Sequence, residues 1–271
     1  MGISIDANKA VHYDGATNDL INSRIADNPV VQRVEGIQVY SVFRLVKLNG
    51  AKGDGNPLIY ALKSANGYSI NIENILAFMP EFRGVLAKVA QHCKTDYVMP
   101  IPSKSLVAAM FAKRVSRCTG GLFENSMLQK KIHKDVCNDV NLLLQSKALG
   151  RGDRRSLDVL KRELQRSMVA TFEMKRIEHS LRHYFAPFKM KPSAAPLAGS
   201  VLLVDDLLST GTSLLSAKQA LALQGVKDVK FLCLFSSTGA FKRVEEAGEI
   251  GVSPADETVV VQPTDNTAVS A

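Results

Sequence analysis

The stretch "VLLVDDLLSTGTSLL", residues 201 to 215, restricts the fold of this chain more than any other feature. Four apolar residues run directly into two adjacent carboxylates, Asp205 and Asp206, and then into a loop of hydroxyl residues around Gly211. A short apolar run that ends in a turn is typical of a central parallel strand covered on both faces. Like charges repel and a buried carboxylate without a partner is costly. We therefore infer that something outside the local sequence needs this pair.

The residues that follow the pair complete a strand–helix–strand unit. "TSLLSAKQALALQG" carries its apolar residues on one stripe, begins with hydroxyl residues and stops at a glycine, as an amphipathic helix does. "VKFLCLF" is the next apolar run. The pattern predicts a parallel βαβ unit with its elements at 201–205, 212–224 and 229–235. Ligands of such sheets bind at the carboxyl ends of the strands, and the two aspartates fall there.

The loop between the aspartates and the helix has the chemistry of a phosphate site. It consists of Ser209, Thr210, Gly211, Thr212 and Ser213. Free backbone N–H groups, hydroxyl donors, a glycine that permits close approach and the positive end of a helix dipole together bind phosphate. The two carboxylates beside it can accept hydrogen bonds from a diol such as that of ribose. An ordinary strand-to-helix turn capped by hydroxyl side chains is the alternative interpretation.

Length and composition favour a globular intracellular protein. The chain has 271 residues and 46% hydrophobic content, enough for one large domain with an elaboration. No apolar run approaches the roughly 20 residues of a membrane helix, and we see no signal peptide, so we expect a cytoplasmic protein without a membrane partner. The four cysteines are scattered singly without a CxxC pair, so we predict no metal held by protein side chains alone.

Positive charge is concentrated in one segment. Residues 104 to 191 contain 19 Lys and Arg against 8 Asp and Glu, a net charge of +11, whereas the whole chain carries +8. Such an excess predicts an anionic partner, and nucleic acid is the sharper hypothesis. The residues proposed for that contact are Arg154, Arg155, Lys161 and Arg162. A solvated helix face is the alternative.

The rest of the chain shows a mixture of strand and helix patterns. "IQVYSVFRLVKL" (37–48), the turn "NGAKGDGNP" and "LIYALKS" predict a β-hairpin. We predict helices in "NIENILAFMPEFRGVLAKVAQHC", with a break near Pro80, and in "LVAAMFAKRVSRC", and a buried strand in "DYVMPIPSKS". The basic part is mostly helical, with its longest helix in "SLDVLKRELQRSMVATFEMKRIEHSLRHYF".

"VLLVDDLLSTGTS" resembles the phosphoribosyl-pyrophosphate (PRPP) motif of type I phosphoribosyltransferases, in which hydrophobic residues lead to two acidic residues and a Thr-Thr-Gly-x-Thr loop. Ser209 and Ser213 stand where that family usually has Thr, which keeps the hydroxyls. The order of "LKS", a helix, "DYVMPIPSKS" and the late acidic motif is similar to the ComF-like branch, over about residues 57–240. The zinc ribbon that often precedes that domain and its Arg-Gly-Phe-Asn-Gln stretch are both missing.

The resemblance implies an α/β fold: a Rossmann-like type I phosphoribosyltransferase core with a mainly parallel sheet, an N-terminal β-hairpin and a basic, mostly helical insertion. It suggests an N-terminal arm and hairpin strand (1–56), a phosphoribosyltransferase-like domain (57–250) and a polar tail (251–271). The basic insertion (124–191) would serve as a hood over the site.

The resemblance also implies roles for the residues singled out above. Asp205 and Asp206 would hold the ribose of PRPP, and the loop 209–213 its 5-phosphate. A second loop would receive the pyrophosphate, with Lys104 as its cation, and Mg²⁺ would bridge the diphosphate to the ribose. This second loop consists of Pro102, Ser103, Lys104 and Ser105.

Three functions are compatible with these features. The first is a phosphoribosyltransferase that joins PRPP to a nitrogen nucleophile such as a nucleobase and releases pyrophosphate. The second is a regulatory protein that senses PRPP, or that keeps only the fold and binds nucleic acid through the basic segment. The third is an effector or toxin subunit of a phage-defence assembly. In each case we expect an oligomer or a complex subunit, and fold alone does not choose among them.

Overall fold

A computed structural model describes residues 2–46, 56–146, 149–192, 197–236 and 242–243 of the chain. The predicted tail at 251–271 lies outside the described residues, so it stays a prediction.

Strands and helices alternate along the described chain. The strands are β1 (Gly2–Ile5), β2 (Ala10–Asp14), β3 (Ile21–Asn22), β4 (Val30–Val34), β5 (Ile37–Leu45), β6 (Ser69–Ile70), β7 (Tyr97–Pro100), β8 (Leu122–Phe123), β9 (Leu128–Lys130), β10 (Phe188–Met190), β11 (Val201–Leu208), β12 (Val229–Ser236) and β13 (Lys242–Arg243). The α-helices are α1 (Pro57–Leu62), α2 (Ile72–Ala77), α3 (Met79–His92), α4 (Val107–Thr119), α5 (His133–Gln145), α6 (Arg151–Gln165) and α7 (Thr212–Ala222). Short 3₁₀ helices lie at Ile25–Asp27, Met174–Arg176 and His179–Tyr184.

The central sheet has eight strands, and its middle is parallel. The strand order is β13-β4-β5-β12-β11-β7-β8, and β3 pairs with β5 outside this path. The five strands from β5 to β8 in that order are mutually parallel, whereas β4, β13 and β3 are antiparallel to their neighbours. The predicted Rossmann-like α/β core with a mainly parallel sheet is confirmed. The βαβ unit of β11, α7 and β12 is also confirmed, with β11 reaching Leu208.

Two apolar clusters cover the two faces of this sheet. One contains Leu202 and Val204 of β11 with buried residues of α1, α3 and α4. The other contains Val201 and Leu203 with buried residues of α7 and Phe188 of β10. The four residues that lead to the aspartates are thus each buried against helices or strands. This explains why the run is uninterrupted by polar residues, since a strand covered on both faces has no solvent side.

An N-terminal β-hairpin is present, but its strands differ from the predicted ones. β4 pairs antiparallel with β5 through a turn at Glu35-Gly36. The prediction that "LIYALKS" forms the second strand is wrong, because these residues lie in α1 and the turn that ends it. Asn56 caps α1 by accepting a hydrogen bond from the backbone N–H of Leu58, and Pro57 occupies the first turn, where its missing N–H is not needed.

Residues upstream of the hairpin also belong to sheets. β1 and β2 pair antiparallel, and β6 adds to β2. β3 and β4 join the central sheet through β5. Strands on the N-terminal side of residue 56 are thus part of the central sheet. The domain boundary at residue 56 stays a prediction.

The basic insertion has a core of its own. It follows β8 in the chain, and its first and last strands, β9 and β10, pair antiparallel in a two-stranded sheet of their own. Between them, α5 and α6 pack with the segment after α6 around ten buried residues: Val136, Cys137, Val140, Leu157, Leu160, Leu164, Phe172, Ile177, Leu181 and Phe185. The predicted basic, mostly helical insertion is confirmed.

The longest predicted helix is shorter than expected. α6 ends at Gln165, and the chain then turns back onto Ile132 and the first turn of α5. The backbone N–H groups of His133 and Lys134 donate to the carbonyls of Ala170 and Met168, and Ile132 forms an isolated bridge with Thr171. The helical pattern of residues 166–185 instead reflects apolar residues that return to the insertion core.

Two further expectations concern the helices and the cysteines. In the part of the chain that the structure describes, no helix has both the length and the apolar character needed to cross a bilayer. The four cysteines are free; Cys93, Cys137 and Cys233 are buried and Cys118 is exposed.

Candidate active site

The two aspartates of the motif lie near the end of β11 but on opposite faces of the sheet. Successive side chains of a strand alternate between faces. Asp205 continues the row of Val201 and Leu203, and Asp206 continues the row of Leu202 and Val204. The adjacent carboxylates therefore meet different surroundings.

Asp206 is buried and paired with a cation from a distant part of the chain. The Nζ atom of Lys63 lies 2.7 Å from Oδ2 of Asp206, and the Asp206 side chain is only 7% exposed. Lys63 follows directly on the last residue of α1 and is itself partly buried. Burial of a carboxylate requires such compensation, so this ion pair explains how the charge is tolerated at the end of a core strand.

Asp205 faces the hydroxyl loop. Its side chain lines a small cavity of about 50 Å³ together with residues 207–214. Its Oδ1 accepts a hydrogen bond of 2.8 Å from the backbone N–H of Asp206. Burial and the neighbouring charge of Asp206 raise the pKa of Asp205 to about 7, against the opposing effects of that hydrogen bond and of Lys63 and Lys130. Near neutral pH, Asp205 therefore exchanges between an acceptor-only carboxylate and a carboxylic acid.

The loop 209–213 joins β11 directly to the first turn of α7. The hydroxyls of Thr210 and Thr212 lie 2.9 Å apart, and both side chains are exposed. Gly211 is the residue before α7 and offers no side chain to cap the free N–H groups of the first turn. A helix N-terminus with free N–H groups, flanked by hydroxyls, is the arrangement that binds phosphate.

Gly211 has a second role that the sequence did not indicate. Its φ is +76°, a left-handed conformation that glycine adopts without strain. A Cβ atom at this position would come within 2.5 Å of Cγ1 of Val34 on β4. Glycine is therefore required both by the backbone turn and by packing against the hairpin.

The predicted pyrophosphate loop lies beside this site. β7 and β11 are parallel neighbours, and the Ile101 N–H donates to the Val204 carbonyl over 2.8 Å. The loop that begins at Pro102 thus leaves the same edge of the sheet as the aspartates. The hydroxyls of Ser103 and Ser105 accept hydrogen bonds from backbone N–H groups within the loop and at the start of α4.

Lys104 connects that loop to the basic insertion. Its side chain is 78% exposed, and its Nζ lies 2.7 Å from Oε1 of Glu173. Arg176 lies 3.4 Å from the other carboxylate oxygen of Glu173. Lys130 of β9 is also near enough to lower the pKa of Asp205. The insertion therefore contacts the loop 102–105 through Glu173 and brings Lys130 near Asp205.

The four basic residues proposed for nucleic acid do not share one surface role. Arg154 donates to the carbonyls of Leu144 and Ser146 at the end of α5 over 2.6 Å and 2.9 Å. It therefore stabilises the junction of α5 and α6. Lys161 is partly buried, whereas Arg155 and Arg162 are exposed.

Lys63 is the residue of the site that sequence reasoning missed. The segment "LKS" was noted only for its position in the chain. An unpaired carboxylate at the end of a core strand did indicate that a cation was needed, but the chain contains 34 Lys and Arg residues. Only the packing of α1 against the sheet identifies which of them it is.

Comparison with known proteins concerns the C-terminal part of the chain. Residues 163–264 match the family model of the phosphoribosyl transferase domain. This part of the chain is similar to a phosphoribosyl transferase domain. The match contains both aspartates and the loop 209–213 but not the loop 102–105, and the described architecture fits the type I phosphoribosyltransferase fold.

Other comparisons add little to the phosphoribosyl transferase match. No curated protein matches the chain. One solved structure, of the allosteric regulatory enzyme of purine biosynthesis, is 16% identical and has a TM-score of 0.29. The alignment covers 55% of this chain and 24% of that chain. At that TM-score, the similarity does not establish a shared fold.

The donor set of the site is compatible with Mg²⁺ only if a ligand supplies most of the oxygens. Among the described residues, no group of three or more His, Cys, Asp and Glu side chains could hold a metal ion. Asp205 faces the cavity with a carboxylate, whereas Asp206 is occupied by Lys63. Mg²⁺ is commonly bound by one or two carboxylates together with substrate phosphates and water. Asp205 fits that role, with a phosphorylated ligand completing the shell.

Proposed function

We propose that the chain binds PRPP and transfers its phosphoribosyl group to a nitrogen nucleophile such as a nucleobase, with release of pyrophosphate. The observation that carries the proposal is that Asp205 and the hydroxyl loop line one cavity at the carboxyl end of the central strand. The match of this region to the phosphoribosyl transferase domain supports it.

Each part of the site has a task in this proposal. The loop 209–213 and the first turn of α7 bind the 5-phosphate through N–H and hydroxyl donors. Asp205 accepts a hydrogen bond from a ribose hydroxyl, which favours its ionised form. Lys104 neutralises charge on the diphosphate. When bound, Mg²⁺ would be held by Asp205 together with oxygens of the phosphorylated ligand, and it would help to offset the charge of the leaving group.

The reaction replaces one bond at C1 of the ribose by another. The bond from C1 to the pyrophosphate oxygen breaks and its electron pair leaves with pyrophosphate, while the acceptor nitrogen forms a new bond to C1 and loses its proton. The ribosyl centre becomes cation-like as the first bond breaks. Positioning and charge stabilisation are then the main contributions of the protein. The insertion, tied to the site by Lys104 and Glu173, would exclude water from that centre.

Calorimetry with PRPP and Mg²⁺ tests the binding step. We expect Asp205→Asn to weaken binding by about 10- to 150-fold, since a hydrogen bond to a charged group contributes about 1.5–3 kcal/mol. Asp158→Asn, at an exposed position of α6, is the matched control and should leave the affinity unchanged. Wild-type affinity in Asp205→Asn would contradict the ribose assignment.

Pyrophosphate release tests the chemistry separately. Protein, PRPP and Mg²⁺ are incubated with each of a panel of nucleobases, and pyrophosphate and the ribosylated product are measured by mass spectrometry. A product with one base identifies the acceptor. PRPP binding without release with any base would favour the sensor function over the enzyme.

A second candidate function, nucleic-acid binding, is favoured by the surface of α6. Arg151, Arg155, Arg162 and Arg166 are all exposed. At 3.6 residues per turn they fall within about 60° of the helix circumference, in a row about 22 Å long. A row of guanidinium groups on one face suits the regularly spaced phosphates of a nucleic-acid strand.

Salt dependence decides whether this surface binds nucleic acid. If the four arginines each neutralise one phosphate, a log–log plot of affinity against salt should have a slope of about −3 for single strands. Reversing Arg155 and Arg162 to Glu should remove about half of that slope and spare PRPP binding. Lys218→Glu with Lys227→Glu changes the net charge equally at α7 and the loop after it. Equal losses in both variants would indicate a net-charge effect and contradict this candidate.

A further inference from the structure

A groove opens on the face of the central sheet that α1 to α4 cover. Its volume is about 670 Å³. The floor is formed by side chains of the sheet itself, Phe43 of β5 and Leu234 and Phe235 of β12. Leu58 of α1 and Phe111 of α4 form part of its walls. The groove is therefore deep, because it reaches from the surface to residues of the apolar core.

Charge at the rim of this groove has one sign. Lys113, Arg114 and Arg117 of α4 line it, and all three are exposed. Among the residues that the structure describes, none of the three has an ion pair, and no Asp or Glu lines the groove. The rim is thus suited to an anion, while the interior is suited to an apolar group.

The groove is separate from the candidate PRPP site. It contains neither aspartate of the motif nor any residue of the loops 102–105 and 209–213. Leu62 and Ser64 line it, and Lys63 between them points to Asp206 instead. Its occupant is therefore a different ligand, and the inference does not depend on the proposed function.

We propose that this groove binds an amphiphilic carboxylate, with a linear acyl chain in the apolar interior and the carboxylate at the cationic rim. The volume lies in the range of about 300–1,000 Å³ that small-molecule sites occupy. Because the groove is deep, a slender chain that enters end-on fits it better than a flat protein surface does. Guanidinium groups form bidentate hydrogen bonds with carboxylates. Arg114 and Arg117 are three residues apart and therefore lie next to each other on the same face of α4.

Dodecanoate below its micelle concentration is the probe. Calorimetry on the full chain should show one binding event with a dissociation constant on the order of 10 μM. Dodecyltrimethylammonium has the same chain length and a cationic head, and it should bind at least about tenfold more weakly. Equal binding of the two amphiphiles, or no binding of dodecanoate, overturns the proposal.

Variants at the rim and mouth distinguish the groove from general detergent binding. Arg114→Glu with Arg117→Glu should weaken dodecanoate by about tenfold, whereas Lys218→Glu with Lys227→Glu should not. Met110 lines the mouth and is 67% exposed, so Met110→Glu should keep the thermal stability of the chain and also weaken binding. Wild-type affinity in both groove variants overturns the proposal.

A second copy of the chain is the competing occupant, because Ile72 and Leu76 on α2 are exposed by 65% and 58%. Sedimentation velocity of the wild type and of Met110→Glu tests it. A monomeric wild type that binds dodecanoate supports the proposal. A wild-type dimer that Met110→Glu dissociates, together with no dodecanoate binding, overturns it.

Discussion

At the end of β11, the two faces of the sheet surround an aspartate with different groups. On the side of α1, Asp206 is buried at 2.7 Å from the ammonium of Lys63. On the side of α7, Asp205 lies beside a cavity, and its pKa is raised to about 7. Asp206 has a cation as its partner within the protein, whereas burial and the charge of Asp206 disfavour the ionised form of Asp205. Asp206 therefore meets a cation of the protein itself, whereas Asp205 faces the cavity beside the hydroxyl loop, where the proposed function places the ligand.

Removal of Lys63 should have the largest effect on stability. In Lys63→Met, the carboxylate of Asp206 remains buried without its cation, and we expect the free energy of unfolding to fall by about 3–5 kcal/mol. Urea unfolding at pH 7.5 measures this. The double variant Lys63→Met with Asp206→Leu removes both charges and should recover most of the loss. A single variant as stable as the wild type would mean that Asp206 does not depend on the ion pair.

Neutralising Asp205 should have the opposite sign. Its folded pKa of about 7 is above the ordinary 3.8, so the folded chain holds the proton more tightly than the unfolded chain. The stability associated with this proton is complete below pH 3.8 and is lost as pH rises through 7. At pH 8, Asp205→Asn should therefore be more stable than the wild type by roughly 4 kcal/mol, and the difference should shrink to less than about half of that at pH 5.

Thermal or urea unfolding at the two pH values checks the prediction for Asp205. Asp206→Asn is the matched comparison, because it should lose stability at pH 8 by leaving Lys63 without its partner. If both asparagine variants change stability in the same direction, the contrast between the two sides of the sheet is not real.

The local part of this site could be predicted from the sequence, and the long-range part could not. An apolar run, a hydroxyl loop and an amphipathic helix are contiguous, so "VLLVDDLLSTGTSLL" predicts β11, the loop and α7 together. Lys63 and Asp206 are distant in sequence and meet only because α1 packs on the sheet. The alternation of strand faces does separate adjacent residues, but it does not say which face carries the cation.

Two errors of element assignment have physical reasons of the same kind. Apolar and polar residues alternate poorly in "LIYALKS", and the stretch follows Asn56 and Pro57, which are helix-start residues. Its closeness to a turn nevertheless favoured a hairpin strand. In the insertion, the apolar residues after Gln165 keep a helical spacing, but Phe172 and Ile177 fold back onto α5 and α6. Spacing alone does not distinguish a continued helix from a return to the same core.

Gly211 links the ligand side to the hairpin, and its substitution should have an intermediate effect. Gly211→Ala places a Cβ near Val34 and forces alanine into a left-handed backbone, so we expect a loss of about 2 kcal/mol. Val34→Ala removes the Cγ1 atom that would clash. A double-mutant cycle should show part of the loss restored, the remainder being backbone strain. No coupling between the two positions would mean that Val34 does not limit residue 211.

The smallest effect on stability is expected at Lys104, whose side chain joins the loop 102–105 to the insertion. Its ion pair with Glu173 is made by a side chain that is 78% exposed, and pairs of this kind contribute less than about 1 kcal/mol and weaken with salt. Lys104→Ala should therefore leave the unfolding midpoint nearly unchanged. PRPP affinity should fall by about tenfold, because the lost charge is one that the diphosphate would meet.

Glu173→Gln is the informative partner variant: it removes the competing carboxylate, so it should keep or strengthen PRPP binding if Lys104 serves the ligand. If both variants weaken PRPP binding equally, the pair acts by holding the insertion over the site, and Lys104 has no separate role at the pyrophosphate.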